Sequence, residues 1–146
     1  MYAESLLPAA RQRLITISDD APLIEAAGKL RSGTDILVVC NSAGVLRGVV
    51  SKTDIVGQIA QCQGAGCIAL ISVAMTQDVL SCRSGDLLED LWSNMKERGL
   101  KNIPFLDGDS RPVGVLNARD LLQALLKEST TEEDMMRHYV MGVGYR

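Results

Sequence analysis

One sequence pattern occurs twice in this chain. Residues 48–55, GVVSKTDI, and residues 114–121, GVLNARDL, align at a constant offset of 66 residues. A pattern with so long a period and only two copies does not indicate a solenoid, because solenoids need three or more units to bury a continuous core. A unit of about 60 residues buries little core alone. We therefore expect the two copies to pack against each other, with a cleft between them as the first place to look for function.

The two copies remain similar upstream of that pattern. Residues 37–41, LVVCN, fall on residues 103–107, IPFLD, at the same offset, and each run ends in a turn-forming Asn or Asp. Further upstream the offset becomes 64 and pairs residues 21–25 with residues 85–89. We therefore expect two additional residues between the first helix and the first strand of the second copy.

Hydrophobic spacing predicts a helix, two strands and a helix in each copy. The first helix begins after Asp20 as its cap in one copy and after Ser84 in the other. The residues expected to face the core are Leu23, Ala26, Ala27 and Leu30 in the first copy and Leu87, Leu88, Leu91, Trp92 and Met95 in the second. The predicted strands form two hairpins and are residues 36–40, 45–50, 103–106 and 112–116. The closing helices start near Asp54 and Asp120. The fold class is therefore α/β in its α+β form, and the tail 129–146 adds a short C-terminal helix.

Length and composition describe one ordinary globular domain. The chain has 146 residues, of which 47% are hydrophobic and 23% are charged. Its 15 basic and 18 acidic residues give a net charge of −3 without a basic run, so nucleic acid is not expected as the main partner. The longest apolar stretch, residues 67–73, is far shorter than the roughly 20 residues of a membrane span, and residues 1–6 do not resemble a signal peptide. We therefore expect a cytoplasmic protein without a membrane partner.

The polar residues do not indicate catalysis. The four cysteines form no C-x-x-C pair, and the one histidine, His138, lies in the tail, so neither a zinc site nor a nucleophile with a neighbouring base is expected. The sequence contains no glycine-rich phosphate loop of the GxxxxGK type. We therefore predict that the protein is not an enzyme and has no catalytic cofactor or metal.

The aspartates at the two strand-to-helix junctions have two interpretations. The first turn of a helix has unpaired amides and a partial positive charge, so it suits an anionic or hydroxyl-rich ligand, and a carboxylate there can accept hydrogen bonds from the two hydroxyls of a ribose. An aspartate at a helix start is also a common cap. Asp54 and Asp120 each follow a polar residue three positions earlier, Ser51 and Asn117. The pattern leaves both interpretations open.

At these residues the chain resembles the cystathionine-beta-synthase (CBS) repeat, whose usual wording is close to P-V-V-D followed by G-h-h-S/T-x-x-D-h, where h is apolar. The segments VVCN with GVVSKTDI, and PFLD with GVLNARDL, fit this wording, and residues 73–79, VAMTQDV, resemble the M-T-x-x-V segment that introduces a family repeat. The resemblance covers about residues 14–127. It implies a single tandem pair, or Bateman module, over residues 1–146, with CBS repeat one at 10–63 and CBS repeat two at 73–128.

The family also implies an arrangement and a ligand. Two such repeats pack about a pseudo-twofold axis and leave two clefts that bind adenosine-containing nucleotides such as AMP, ATP or NAD, and such modules commonly form homodimers through their helices. By this resemblance, Asp54 and Asp120 hold the ribose hydroxyls within the polar-x-x-Asp motifs, and Thr53 and Arg119 lie near phosphate. The other ligand-binding residues implied are Asp35, Ile36, Leu37, Ser51, Lys52, Lys101, Asn102, Ile103, Pro104 and Asn117, with Ala21 and Ala26, and Gly85 and Asp90, lining the base.

Charge distinguishes the two implied pockets. We assign Arg119 and Lys101 to the pocket of Asp120, whereas the pocket of Asp54 has neutral Thr53, the carboxylate of Asp35 and Lys52 as its only cation. A charge-assisted hydrogen bond to phosphate contributes about 1.5 to 3 kcal/mol. The sequence therefore predicts tighter nucleotide binding beside Asp120.

Two functions remain open from the sequence. One is a non-catalytic regulatory module that senses an adenine nucleotide through its conformation or dimer state and passes this to an unidentified effector protein. The other is a dimerisation or protein-interaction module whose ligand pockets are vestigial. A thermal shift with nucleotides distinguishes them, because only the first function requires binding.

Overall fold

The protein is an α+β domain, and its computed structural model describes residues 1–31, 33–62 and 69–128. After a short 3-10 helix at Ala3–Leu6, the elements in chain order are α1 Leu7–Arg13, β1 Thr16–Ser18, α2 Leu23–Lys29, β2 Ile36–Cys40, β3 Leu46–Ser51, α3 Lys52–Cys62, α4 Ile71–Ala74, α5 Leu88–Arg98, β4 Asn102–Leu106 and β5 Pro112–Asn117, followed by helix α6 at residues 118–128. The predicted mixture of helices and strands is confirmed. None of the helices in the described ranges is long and apolar enough to cross a membrane.

The two hairpins are built alike. Strands β2 and β3 pair antiparallel with Ile36 opposite Ser51, and β4 and β5 pair with Asn102 opposite Asn117, which is the same register at an offset of 66. Each ladder also has one irregularity at the same position, between Val39 and Cys40 in the first and between Phe105 and Leu106 in the second. The same register and the same irregularity are therefore present in both copies, and the central residues of β2 and β4 are buried in a continuous run.

The helices that precede the two hairpins do not begin at the residues that the sequence predicted. Helix α2 has Pro22 as N-cap and buries Leu23, whereas α5 has Leu87 as N-cap and buries Leu88. The offset between these helices is thus 65, and the second copy has one additional residue before its strand. The predicted two were wrong because the adjacent leucines at 87 and 88 fit a helical spacing in either position.

Neither predicted side-chain cap is used. Asp20 accepts a hydrogen bond from the Ser18 hydroxyl, and no side-chain hydrogen bond caps α2 or α5. The first amide of α2, at Leu23, instead donates to the Ala69 carbonyl at 2.9 Å, and that of α5, at Leu88, donates to the Met1 carbonyl at 3.1 Å. Backbone carbonyls from distant segments thus satisfy the helix ends that the sequence assigned to local side chains.

The segment in front of each repeat packs on the other repeat. The N-terminal residues Ala3 and Ala10 lie in the core cluster of the second hairpin, and Ile71 and Met75, which precede the second repeat, lie in the core of the first. Glycines allow this close approach. A Cβ at Gly48 would overlap the Thr76 carbonyl oxygen, and a Cβ at Gly114 would lie 2.8 Å from the Ala10 backbone. The exchange joins the two halves into one domain.

Sequence spacing missed strand β1, which pairs parallel with β2. With only three residues, it is too short to show a period. The C-terminal helix predicted within 129–146 lies outside the described residues.

Candidate functional site

Two clefts lie where the repeats meet, and they differ in size. The first cleft has a volume of about 530 Å³ and is lined by Asp35, Ile36, Val49, Ser51, Lys52, Thr53, Asp54, Thr76, Asp78, Val79, Leu80, Gly99, Leu100, Lys101, Asn102 and Ile103. The second cleft has about 100 Å³ and is lined by Gln12, Arg13, Ile15, Gly33, Thr34, Asp35, Ile36, Asn102 and Val115. Each cleft takes residues from both halves of the chain.

The clefts are internal equivalents of each other. Their linings correspond at the offset of 66 residues that relates the hairpins, and the corresponding positions, second cleft first, are Gln12 and Asp78, Arg13 and Val79, Gly33 and Gly99, Thr34 and Leu100, Asp35 and Lys101, Ile36 and Asn102, and Val115 and Val49. The fold therefore provides the same arrangement of lining positions twice, with different side chains in the two clefts.

Asp54 at the first cleft forms a capping box at the start of α3. Its Oδ2 accepts hydrogen bonds from the backbone amide of Ser51 at 2.9 Å and from the Ser51 hydroxyl at 3.1 Å, while the Asp54 amide donates to that hydroxyl at 3.3 Å. This is the reciprocal arrangement of a Ser-x-x-acid box. Its Oδ1 has a long contact of 3.5 Å from the Thr76 hydroxyl. The carboxylate is thus a cap through one oxygen and faces the cleft wall with the other.

Asp120 at the equivalent position is engaged differently. Its Oδ2 accepts hydrogen bonds from Arg13 Nη2 at 2.9 Å and from Arg13 Nε at 3.2 Å, an ion pair between α6 and the end of α1. Asn117 takes over the cap, because its Oδ1 accepts the Arg119 amide at 2.9 Å. The Asn117 amide nitrogen also donates to the Asn102 side chain at 3.0 Å.

A family model supports the internal symmetry of the structure. The model described as "CBS domain" matches residues 6–61 and 70–127, which together are more than half of the chain. The chain belongs to the CBS domain family. Its two matches and its two equivalent hairpins make it a tandem CBS pair.

The chain is similar to proteins of different kinds. The chain is 30% identical over 123 residues to the choline transport ATP-binding protein OpuBA of Bacillus subtilis, a match that covers 84% of this chain and 31% of that protein, so the chain spans about a third of that relative. The CBS-domain containing protein ATU1752 from Agrobacterium tumefaciens has a TM-score of 0.71 at 25% identity, over 84% of this chain and 92% of its own. CBSX2, solved in complex with AMP, has a TM-score of 0.69 at 22% identity, over 82% and 93%.

The structure overturns the charge assignment made from the sequence. Lys101 lines the first cleft, with Lys52 and Asp54, whereas Asp35 takes the Lys101 position in the second. Arg119 is exposed, and neither it nor the predicted site residues Asn117 and Asp120 are among the lining residues of either cleft. The prediction of a more basic pocket beside Asp120 was wrong, because the CBS repeats exchange their walls and the strand-start residues of one repeat face the helix start of the other.

Several residues implied for the base lie in the core of the CBS pair. Ala21 and Ala26 are 7% and 0% exposed and pack in the first hydrophobic cluster. Leu37 and Pro104 are fully buried, so only their neighbours Ile36 and Ile103 reach the first cleft. Gly85 and Asp90 are exposed and outside both linings. Helix spacing correctly placed Ala26 on the core face of α2, whereas Ala27, predicted on the same face, is exposed, and Ala21 precedes the helix.

Sequence reasoning missed the wall that precedes each repeat. Thr76, Val79 and Leu80 line the first cleft, and Gln12 and Arg13 line the second. The segment 73–79 resembles the opening of a CBS repeat, and applying the offset of 66 to it leads to residues 7–13. That step would have identified Arg13 as the equivalent of Val79 in the other cleft.

Cys40 and Cys82 both have thiols with a raised pKa. Burial, together with the nearby Asp86 carboxylate, raises the pKa of Cys82 to about 12, and burial with Asp19 raises the pKa of Cys40. Both therefore remain thiols at neutral pH. Cys82 belongs to the second core cluster, and Cys40 is half-buried at the end of β2.

Proposed function

We propose that this tandem CBS pair is a non-catalytic regulatory module that binds an adenine nucleotide of the AMP, ATP or NAD class in the first cleft. The observation that carries the proposal is the chemistry of that cleft. Its volume of about 530 Å³ falls within the roughly 300–1,000 Å³ of small-molecule sites. Its lining includes the Asp54 carboxylate at a helix start, which suits a ribose, the two lysines Lys52 and Lys101, which suit a phosphate, and an apolar wall, which suits a purine. Two further carboxylates, those of Asp35 and Asp78, also line it.

The ligand would lie along the first cleft with its three parts in contact with different walls. The ribose hydroxyls would donate to Asp54 Oδ1, whose contact with the Thr76 hydroxyl is long, at 3.5 Å, and which can accept more than one hydrogen bond. Phosphate would lie between Lys52 and Lys101 near the amides of the first turn of α3. The base would pack on Val79, Leu80 and Ile103. A structural relative, CBSX2, was solved with AMP, which is consistent with a ligand of this class.

Regulation would follow from the composition of the cleft. One wall belongs to repeat one, including Asp54, and the other to repeat two, including Lys101. A nucleotide that contacts both walls favours the arrangement of repeats that fits it, and shifts the population toward that arrangement. In the relative OpuBA the similar segment is part of a longer protein. We propose that this chain passes the state of its cleft to a separate effector protein in the cytoplasm. We also propose that its two repeats span residues 10–63 and 73–128.

We also propose a homodimer formed through the helices. Helices α2, α3 and α4 pack together and leave large apolar side chains in solvent, namely Ile24, Val56, Ile59 and Val73, which are 50% to 75% exposed. Burying each such side chain contributes about 1.5 to 3 kcal/mol. The same surface favours the second candidate function, a dimerisation or interaction module with vestigial clefts.

Thermal unfolding with a nucleotide panel tests the proposed function. A ligand at 100 times its dissociation constant adds about 2.7 kcal/mol to the free energy of unfolding. For a domain of this size we expect a rise in Tm of about 5–10 °C with at least one of AMP, ATP and NAD, measured by differential scanning calorimetry. Guanosine and inorganic phosphate serve as controls. No rise with millimolar concentrations of any of these nucleotides would favour the second candidate function.

A further inference from the structure

The second cleft is lined by a positively charged side chain at the position where the first cleft has an apolar one. Arg13 occupies the position equivalent to Val79, and its guanidinium makes two hydrogen bonds, of 2.9 and 3.2 Å, to the carboxylate of Asp120. Asp120 is itself equivalent to Asp54. The equivalent of the proposed ribose-binding aspartate is therefore engaged by Arg13, which lines the second cleft, and Asp120 itself is not among the lining residues.

We propose that Arg13 closes the second cleft, so that each chain binds one nucleotide although the fold provides two equivalent sites. This inference depends on the proposed function of the first cleft. The Arg13 side chain, which is 43% exposed, lines this cleft, and the volume of about 100 Å³ is well below the roughly 300 Å³ of a small-molecule site.

The charges of the second cleft also oppose nucleotide binding, as its small volume does. The hydrogen bonds between Arg13 and Asp120 are charge-assisted, whereas a ribose offers neutral hydroxyl donors, which bind a carboxylate less strongly. A nucleotide in the second cleft would have to displace the stronger donor. The lining of the second cleft also contains no lysine for a phosphate, whereas that of the first contains Lys52 and Lys101, and Asp35 lines both clefts.

A reciprocal exchange of the two equivalent residues tests this proposal. Isothermal titration calorimetry with AMP, or with ATP or NAD if the panel shows tighter binding, gives the number of sites per chain. We expect one site in the unchanged protein and two in Arg13→Val, which gives the second cleft the residue of the first. We expect Val79→Arg to weaken binding about tenfold or more, because a guanidinium then competes for Asp54.

Matched variants make the outcome specific. Arg11→Ala removes a nearby exposed arginine of α1 that does not line the cleft, and should leave one site. Arg13→Val combined with Asp120→Ala should return the count from two to one. Two sites in the unchanged protein, or one site in Arg13→Val with its Tm preserved, would overturn the closure by Arg13. An absence of nucleotide binding in every variant would instead refute the proposed function of the first cleft.

Discussion

Gly48→Ala is expected to lower the free energy of unfolding by about 3 kcal/mol, at the upper end of the cost of overpacking a core. A methyl group there would overlap the Thr76 carbonyl oxygen and lie 3.2 Å from its carbonyl carbon. Both neighbours are backbone, and Thr76 is hydrogen-bonded in both directions to Val49 at 2.8 and 3.0 Å, so no side-chain rotation can relieve the overlap. Urea denaturation measures the loss.

The control for this substitution is another glycine of the same repeat. Gly57 lies within α3 and has nothing within 4 Å of the position of an added Cβ. Gly57→Ala should therefore stabilise the protein by about 0.5–1 kcal/mol, because alanine loses less conformational entropy in a helix. Equal stabilities of Gly48→Ala and Gly57→Ala would contradict the packing of the exchanged segment on β3.

Asp54→Ala is expected to weaken adenine nucleotide binding by about 10- to 100-fold. The carboxylate would accept hydrogen bonds from the ribose, and a hydrogen bond to a charged group contributes about 1.5 to 3 kcal/mol. The variant also removes part of the capping box of α3, which should cost about 1 kcal/mol of stability. Calorimetric titration, well below the Tm of the variant, measures the change in affinity.

Asp120→Ala is the matched control, since Asp120 has the equivalent position in the other repeat. Its carboxylate is paired with Arg13, so its loss should leave the nucleotide affinity within about twofold of the unchanged protein. A large loss of affinity in Asp120→Ala, with Asp54→Ala unaffected, would show that the sequence-based ranking of the two pockets was right and the ranking by structure wrong.

Local patterns were sufficient to predict the architecture. The offset of 66 residues between the motifs at Asp54 and Asp120 reappears as identical strand registers, and the predicted strand Ile36–Cys40 has its observed bounds. Such features depend on residues close together in sequence. The helix caps were not predictable in this way, because the groups that satisfy the Leu23 and Leu88 amides come from residues Ala69 and Met1.

The candidate site was predicted only in part, because it too depends on residues that are far apart in sequence. The sequence identified Asp54, Lys52 and Lys101 as ligand-binding candidates, and all three line the first cleft. It could not show that Lys101 lies opposite Asp54, nor that Arg13 reaches Asp120 across 107 residues of sequence. Such pairings depend on which wall each repeat contributes to which cleft, and spacing within one repeat contains no information about that.

The most direct test of nucleotide binding in the first cleft is a titration of the ¹⁵N-labelled protein, followed by the backbone amide resonances. With the tightest-binding nucleotide of the panel, the amides of residues 51–54 and 99–103 should shift and saturate together, while those of residues 117–120 keep their positions. Saturable shifts at residues 117–120 without shifts at residues 51–54 would contradict binding in the first cleft.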